Sequence, residues 1–127
     1  MKKIIQTDLA PAPIGPYNQA ILAGNTLYIS GQIPMDPETQ ELVSGDIKLE
    51  TDRVMLNLKA ILEAAKMNFG QVVKSSIFVK DMGQFAAINE AYAKYFSADS
   101  APARETVEVA NLPRYVNVEI SMIATLD

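Results

Sequence analysis

The stretch from Ala101 to Thr125, APARETVEVANLPRYVNVEISMIAT, constrains the fold more than any other. Two strand-like runs, Arg104 to Ala110 and Tyr115 to Ala124, flank Asn111-Leu112-Pro113-Arg114, a segment with the Asn and Pro of a turn. Read as a β-hairpin, it sets Ala110 opposite Tyr115, and counting outwards sets Thr106 opposite Glu119 and Arg104 opposite Ser121. Residues opposite one another in a ladder share a face. The hairpin is therefore expected to gather Arg104, Thr106, Glu119 and Ser121 on one side, with Val107, Val109, Val116, Val118 and Ile120 on the other. An arginine near a glutamate on such a face is either a carboxylate grip beside an acid/base group or an ordinary salt bridge.

What chemistry that face can support is bounded by what the chain lacks. It has no cysteine, which excludes disulfides, thiolate nucleophiles and thiolate metal sites, and no histidine, which removes Ser-His-Asp and Cys-His systems and the usual zinc sites. Asp, Glu, Lys, Tyr, hydroxyls, backbone groups and water remain. A formal charge of −4 opposes the footprint that a phosphate backbone requires, so nucleic acid is not a favoured partner. The 127 residues, 49% of them hydrophobic, are expected to form one domain over residues 1–127 with a real core. The N-terminal MKKIIQTDLAPAP holds no apolar run of signal-peptide length, and no segment is long and apolar enough to span a bilayer. A soluble, cytoplasmic protein with no membrane partner is expected.

Along the chain, Lys3 to Thr7 reads as an edge strand and Ala10 to Pro16, with three prolines and a glycine, as a stiff extended loop ending at Tyr17. Tyr17 on its own reads as a half-buried aromatic pinning that loop. Gln19 to Ala23 and Thr26 to Ser30 form a hairpin about Gly24-Asn25. Gly31 then marks either a bulge or a close approach of backbone to a neighbour or ligand. Asp46 to Asn68 carries the longest helical pattern, capped by Ser44 or Asp46, with Val54, Leu58, Ile61, Leu62 and Ala65 on one stripe and Gly70 beyond its end. Val72 to Lys80 is a strand, and Asp81 with Gln84 resembles a capping box opening a second helix with Phe85, Ile88, Tyr92, Tyr95 and Phe96 on its apolar side and Asn89 beside them. Two helices cover only one sheet face, and the strands leave neither face fully polar, so a homo-oligomer is expected to cover the other.

Four separated motifs, Ile14-Gly15-Pro16-Tyr17, Ser30-Gly31-Gln32-Ile33-Pro34, Pro102-Ala103-Arg104 and Val107-Glu108-Val109-Ala110-x-Leu112-Pro113, give the chain a close resemblance to the RidA/YjgF/YER057c/UK114 family. That resemblance implies an α+β, chorismate-mutase-like fold: a mixed sheet with two helices on one face, assembled as a homotrimer with a central barrel and sites in the clefts between protomers. It implies 2-iminoalkanoate deaminase activity without cofactor or metal, hydrolysing small enamine or imine carboxylic acids such as 2-aminoacrylate and 2-iminopropanoate to 2-oxo acids and ammonia. Arg104 would grip the substrate carboxylate and Glu119 would move protons, with Tyr17, Ser30, Gly31, Asn89 and Thr106 lining the site. A carboxylate-binding regulatory module without catalysis is the alternative, and an endoribonuclease or translation inhibitor a third that the acidic balance disfavours. Thr106 stands where many relatives carry cysteine, and Lys66 where glycine is frequent. Tyr115, unusual after the Leu-Pro turn, either narrows the cleft or packs an edge.

Overall fold

In a computed structural model, which describes residues 1–126, eight main elements follow in the order β1 (Lys2–Ile5), β2 (Ala20–Ala23), β3 (Thr26–Gln32), α1 (Ile47–Ala64), β4 (Val72–Val79), α2 (Phe85–Ala93), β5 (Ala103–Glu108) and β6 (Val118–Thr125). The strands form one six-stranded mixed sheet in the order β1-β2-β3-β6-β4-β5. Both helices lie on one face, giving the α+β architecture that the resemblance implies. Between them and the sheet sits the core, where Leu27, Ile29, Leu58, Ile61, Ile77, Ile88 and Ile120 are fully or almost fully buried. Burying each such side chain contributes about 1.5–3 kcal/mol.

Local chemistry explains where the elements start and stop. Asp46 is the cap of α1, its carboxylate accepting from the Lys48 and Leu49 amides at 2.9 and 3.3 Å. The helix closes at Ala65, earlier than the expected Asn68, because Lys66 adopts φ +60° and turns the chain out of the helix. Gly24, at φ +61°, supplies the left-handed turn of the β2–β3 hairpin, as expected from Gly24-Asn25. Asp81 caps a short 3-10 turn, Met82–Gln84, that leads into α2, and the capping box with Gln84 does not form. Tyr95 and Phe96 lie just past α2 yet extend its aromatic cluster, packing with Phe69 and Tyr92 at centroid distances of 4.9–5.4 Å.

The expected C-terminal hairpin is not formed. β5 pairs in parallel with β4, and β6 runs antiparallel between β3 and β4, so a whole strand separates the two runs that were to be neighbours. The turn segment is instead a 3-10 turn, Pro113–Tyr115, in which Arg114 and Tyr115 both take positive φ and carry the chain across the end of β4. Faces follow from the real register. Ser75, Ile77 and Val79 of β4 sit opposite Arg104, Thr106 and Glu108 on one flank and Met122, Ile120 and Val118 on the other. That set faces the helices. Phe78 sits between Val107 and Glu119 on the opposite face. The expected grouping of Arg104 and Thr106 with Glu119 and Ser121 is therefore wrong by one residue of phase: the first two point to the helical side and the last two to the open side.

Candidate functional site

On the helical side, Arg104 projects from edge strand β5 onto α2. Its Nη1 donates to Asn89 Oδ1 at 2.7 Å, and its Cζ lies 5.1 Å from the Tyr92 ring centroid and 5.7 Å from that of Phe85. Tyr92 is fixed from below by donating its hydroxyl to Ser75 Oγ at 2.9 Å. The guanidinium is thus clamped by one polar and two aromatic contacts, each cation–π contact contributing about 0.5–2 kcal/mol. Among the described residues no carboxylate lies within ion-pair distance of it. The ordinary salt bridge that sequence left open is absent, and the planar fork retains donors for an external anion. Thr106 lies two residues along the same face, its Oγ1 buried without a hydrogen-bond partner among the described residues. Sequence reasoning passed over Phe85 and Tyr92 because an aromatic stripe on a helix reads as core, and Ser75 because it reads as an ordinary strand residue; their contacts and register bring them to Arg104.

On the other side, Glu119 extends from β6 beneath the end of β3. Ile29 pairs with Met122 and Gln32 with Ile120, so Ser30 and Gly31 together oppose Ser121 in a bulge. Gly31 meets both alternatives posed for it. A Cβ at this position would lie 2.6 Å from Glu119 Oε2 and 2.8 Å from its Cδ, so the carboxylate rests directly on the glycine backbone. Burial raises the Glu119 pKa above its ordinary 4.5, and no hydrogen bond to its carboxylate is formed among the described residues. Ser30 donates its hydroxyl to Asn18 O at 2.6 Å, tying the bulge to the residue after Tyr17.

The proline loop that carries Tyr17 is held by Gln19, which sequence reasoning passed over as an ordinary strand residue. Its buried amide accepts from the Thr7 amide at 2.7 Å and donates to the Thr7, Ala10 and Pro11 carbonyls at 2.8–3.1 Å. Tyr17 is half exposed and accepts from the Ile14 amide at 3.3 Å. It shares one groove with Ser30, Ile21 and Tyr28 of the open face. Tyr115 is exposed, with the Lys80 ammonium 6.0 Å from its ring centroid. The chain thus carries two separate groups, Arg104, Asn89 and Thr106 on the helical side, and Glu119, Gly31, Ser30 and Tyr17 on the open side. Among the described residues there is no cluster of acidic, His or Cys side chains able to hold a metal, and no helix is long and apolar enough to cross a membrane.

A mixed sheet backed by two helices, with a braced free guanidinium at one edge strand, defines an α+β protein of the YjgF type. The chain belongs to the endoribonuclease L-PSP family, the Rid/YjgF group, whose family model matches residues 7–126. It is 56% identical over 124 residues to a RutC family protein of Pyrococcus horikoshii, covering 98% of each chain. It is 45% identical to a 2-iminobutanoate/2-iminopropanoate deaminase of Dermatophagoides farinae, covering 99% of this chain and 98% of that one. The crystal structure of Escherichia coli TdcF with bound serine superposes with a TM-score of 0.92 at 40% identity, covering 98% of this chain and 99% of that chain.

Proposed function

We propose that the protein is a 2-iminoalkanoate deaminase acting on small imines such as 2-iminopropanoate. The observation that carries the reading is Arg104, a guanidinium braced by Asn89, Phe85 and Tyr92 and without a carboxylate partner among the described residues. The deaminase named among the relatives, and the amino acid bound to TdcF, support a small carboxylate as its ligand.

Arg104 binds the substrate carboxylate through two N–H donors and so fixes the adjacent C2. Water attacks C2, its oxygen forming the new bond while the C=N π pair moves to nitrogen. Glu119 takes the proton released by water and returns it to nitrogen. The C2–N bond then breaks as the C=O forms, the hydroxyl proton passing through Glu119 to the departing nitrogen, giving a 2-oxo acid and ammonia. The burial that raises the Glu119 pKa brings its proton affinity nearer neutrality, as a group that both takes and returns a proton requires. No covalent intermediate is needed, so the chemistry proceeds without Cys or His.

A three-carbon substrate does not reach from one face of a sheet to the other. Arg104 and Glu119 of one chain therefore serve different substrate molecules, and each site joins the helical side of one copy to the open side of another. A homotrimer with clefts between protomers meets this requirement. It also covers an open face on which Ile4, Tyr28 and Val107 stand exposed. The test is hydrolysis of 2-iminopropanoate generated in situ. Arg104→Ala is expected to lower kcat/KM by about 10³-fold, and Arg104→Lys, which keeps charge but loses the fork, by about 10–100-fold. Wild-type rates in both variants would overturn the assignment.

A further inference from the structure

The turn before β6 carries a second guanidinium that the chemistry above leaves unused. Arg114 and Tyr115 stand consecutively at φ +55° and +59°, a region that L side chains rarely adopt and where strain marks ligand sites. The turn is held by the Tyr115 amide donating to Leu112 O at 2.9 Å and the Val116 amide to Pro113 O at 3.3 Å. Arg114 lies at the rim of a cavity of about 230 Å³ whose walls include Pro11, Ile14, Ile33 and Met35. Tyr17 and Gly31 also line it, and Gly31 is the glycine on which Glu119 rests. The Gln19 amide in its wall is occupied by the proline loop. Among the described residues no carboxylate lies within ion-pair distance of Arg114.

A mostly apolar cavity that shares Gly31 with the Glu119 contact and carries in its lining a guanidinium with no carboxylate partner among the described residues fits an aliphatic stem with an anionic tip. We propose that this cavity is the side-chain subsite for dicarboxylic 2-imino acids, with Arg114 gripping the distal carboxylate. The inference rests on the deaminase reading and extends it to a substrate class. For 2-iminoglutarate, the C2–O bond forms and the C2–N bond breaks as before, yielding 2-oxoglutarate and ammonia with the distal carboxylate unchanged. A neutral side chain gains nothing from Arg114, and a cationic one is repelled.

The experiment compares kcat/KM for 2-iminoglutarate and 2-iminopropanoate, each made in situ by an amino-acid oxidase with catalase present. Losing a charged hydrogen-bond partner is expected to lower the ratio of the two values by roughly tenfold to a hundredfold in Arg114→Ala. Arg114→Gly relieves the left-handed backbone while removing the same group, so an equal fall there assigns the effect to the guanidinium. An unchanged ratio in both variants, or a fall in Arg114→Ala that Arg114→Gly restores, would overturn the subsite. If the wild type hydrolyses neither imine, the deaminase reading fails by itself. Calorimetric binding of 2-oxoglutarate against pyruvate then decides the subsite: a tenfold fall in their affinity ratio in Arg114→Ala sustains it, and an unchanged ratio overturns it.

Discussion

Arg104 and Glu119 occupy opposite faces of one sheet, and their surroundings are built on different principles. Arg104 is exposed but held by the Asn89 carbonyl oxygen and two aromatic rings, and among the described residues no carboxylate is paired with it. Glu119 is half-buried and has no hydrogen-bond partner among the described residues; its position is set by shape alone, against a glycine in a bulge. A cation that must orient a ligand is served by fixed geometry. A carboxylate that must exchange a proton is served by desolvation and freedom from competing donors. Under the proposed function one face grips and the other carries the chemistry, so each is expected to be open to disturbance with the other left intact.

The largest disturbance of the Glu119 side is expected from Gly31→Ala. The added methyl would fall 2.6–3.0 Å from the Glu119 carboxylate and Cγ, atoms at the end of a flexible side chain, so Glu119 swings away and the fold persists. Displacement of a proton-transfer group by about 1 Å is expected to lower kcat by roughly 10²-fold. Binding of pyruvate, read by calorimetry, should weaken far less, because the Arg104 side is untouched. Equal losses in kcat and affinity would show that the two sides are not separable.

A smaller effect concerns pH. The Glu119 pKa is raised by burial, so the ionised base accumulates, and kcat/KM rises, as pH passes through a value above the ordinary 4.5. Stability carries the opposite sign: protonated Glu119 is the form that burial favours, its contribution is complete below the unfolded pKa, and it is lost as pH rises through the raised folded value. Glu119→Gln should therefore remove the acidic limb of the rate profile and raise Tm relative to wild type more at neutral pH than at about pH 4. An acidic limb retained in the variant would assign it to another group.

Much of this molecule was legible in its sequence. Gly24-Asn25 announced the first hairpin, Asp46 the start of α1, and the Val54–Leu58–Ile61–Leu62 stripe the face that packs on the sheet. These are local signals, resolved within a few residues by backbone sterics, capping and period. What failed was the pairing of β5 with β6. Period-two alternation assigns faces within a strand, but the phase between two strands comes from their shared neighbour, here β4, which lies about 30 residues earlier in the chain than β5. Asn111-Leu112-Pro113-Arg114 resembled a hairpin turn, yet the left-handed pair Arg114 and Tyr115 redirects the chain past β4. Motif resemblance named the candidate residues, while only the register showed that they fall into two groups. The aromatic bed of Arg104 and the Gln19 anchor stayed hidden because both read as ordinary core and strand positions.

The central claim is that one site draws on two copies of the chain, and mixed oligomers of Arg104→Ala and Glu119→Gln test it most directly. Each variant alone is expected to be nearly inactive towards 2-iminopropanoate. Co-refolded in equal amounts, random assembly pairs an intact Arg104 side with an intact Glu119 side at about a quarter of the sites, so about a quarter of wild-type activity should return. A mixture that assembles but remains as inactive as its components would contradict the shared site.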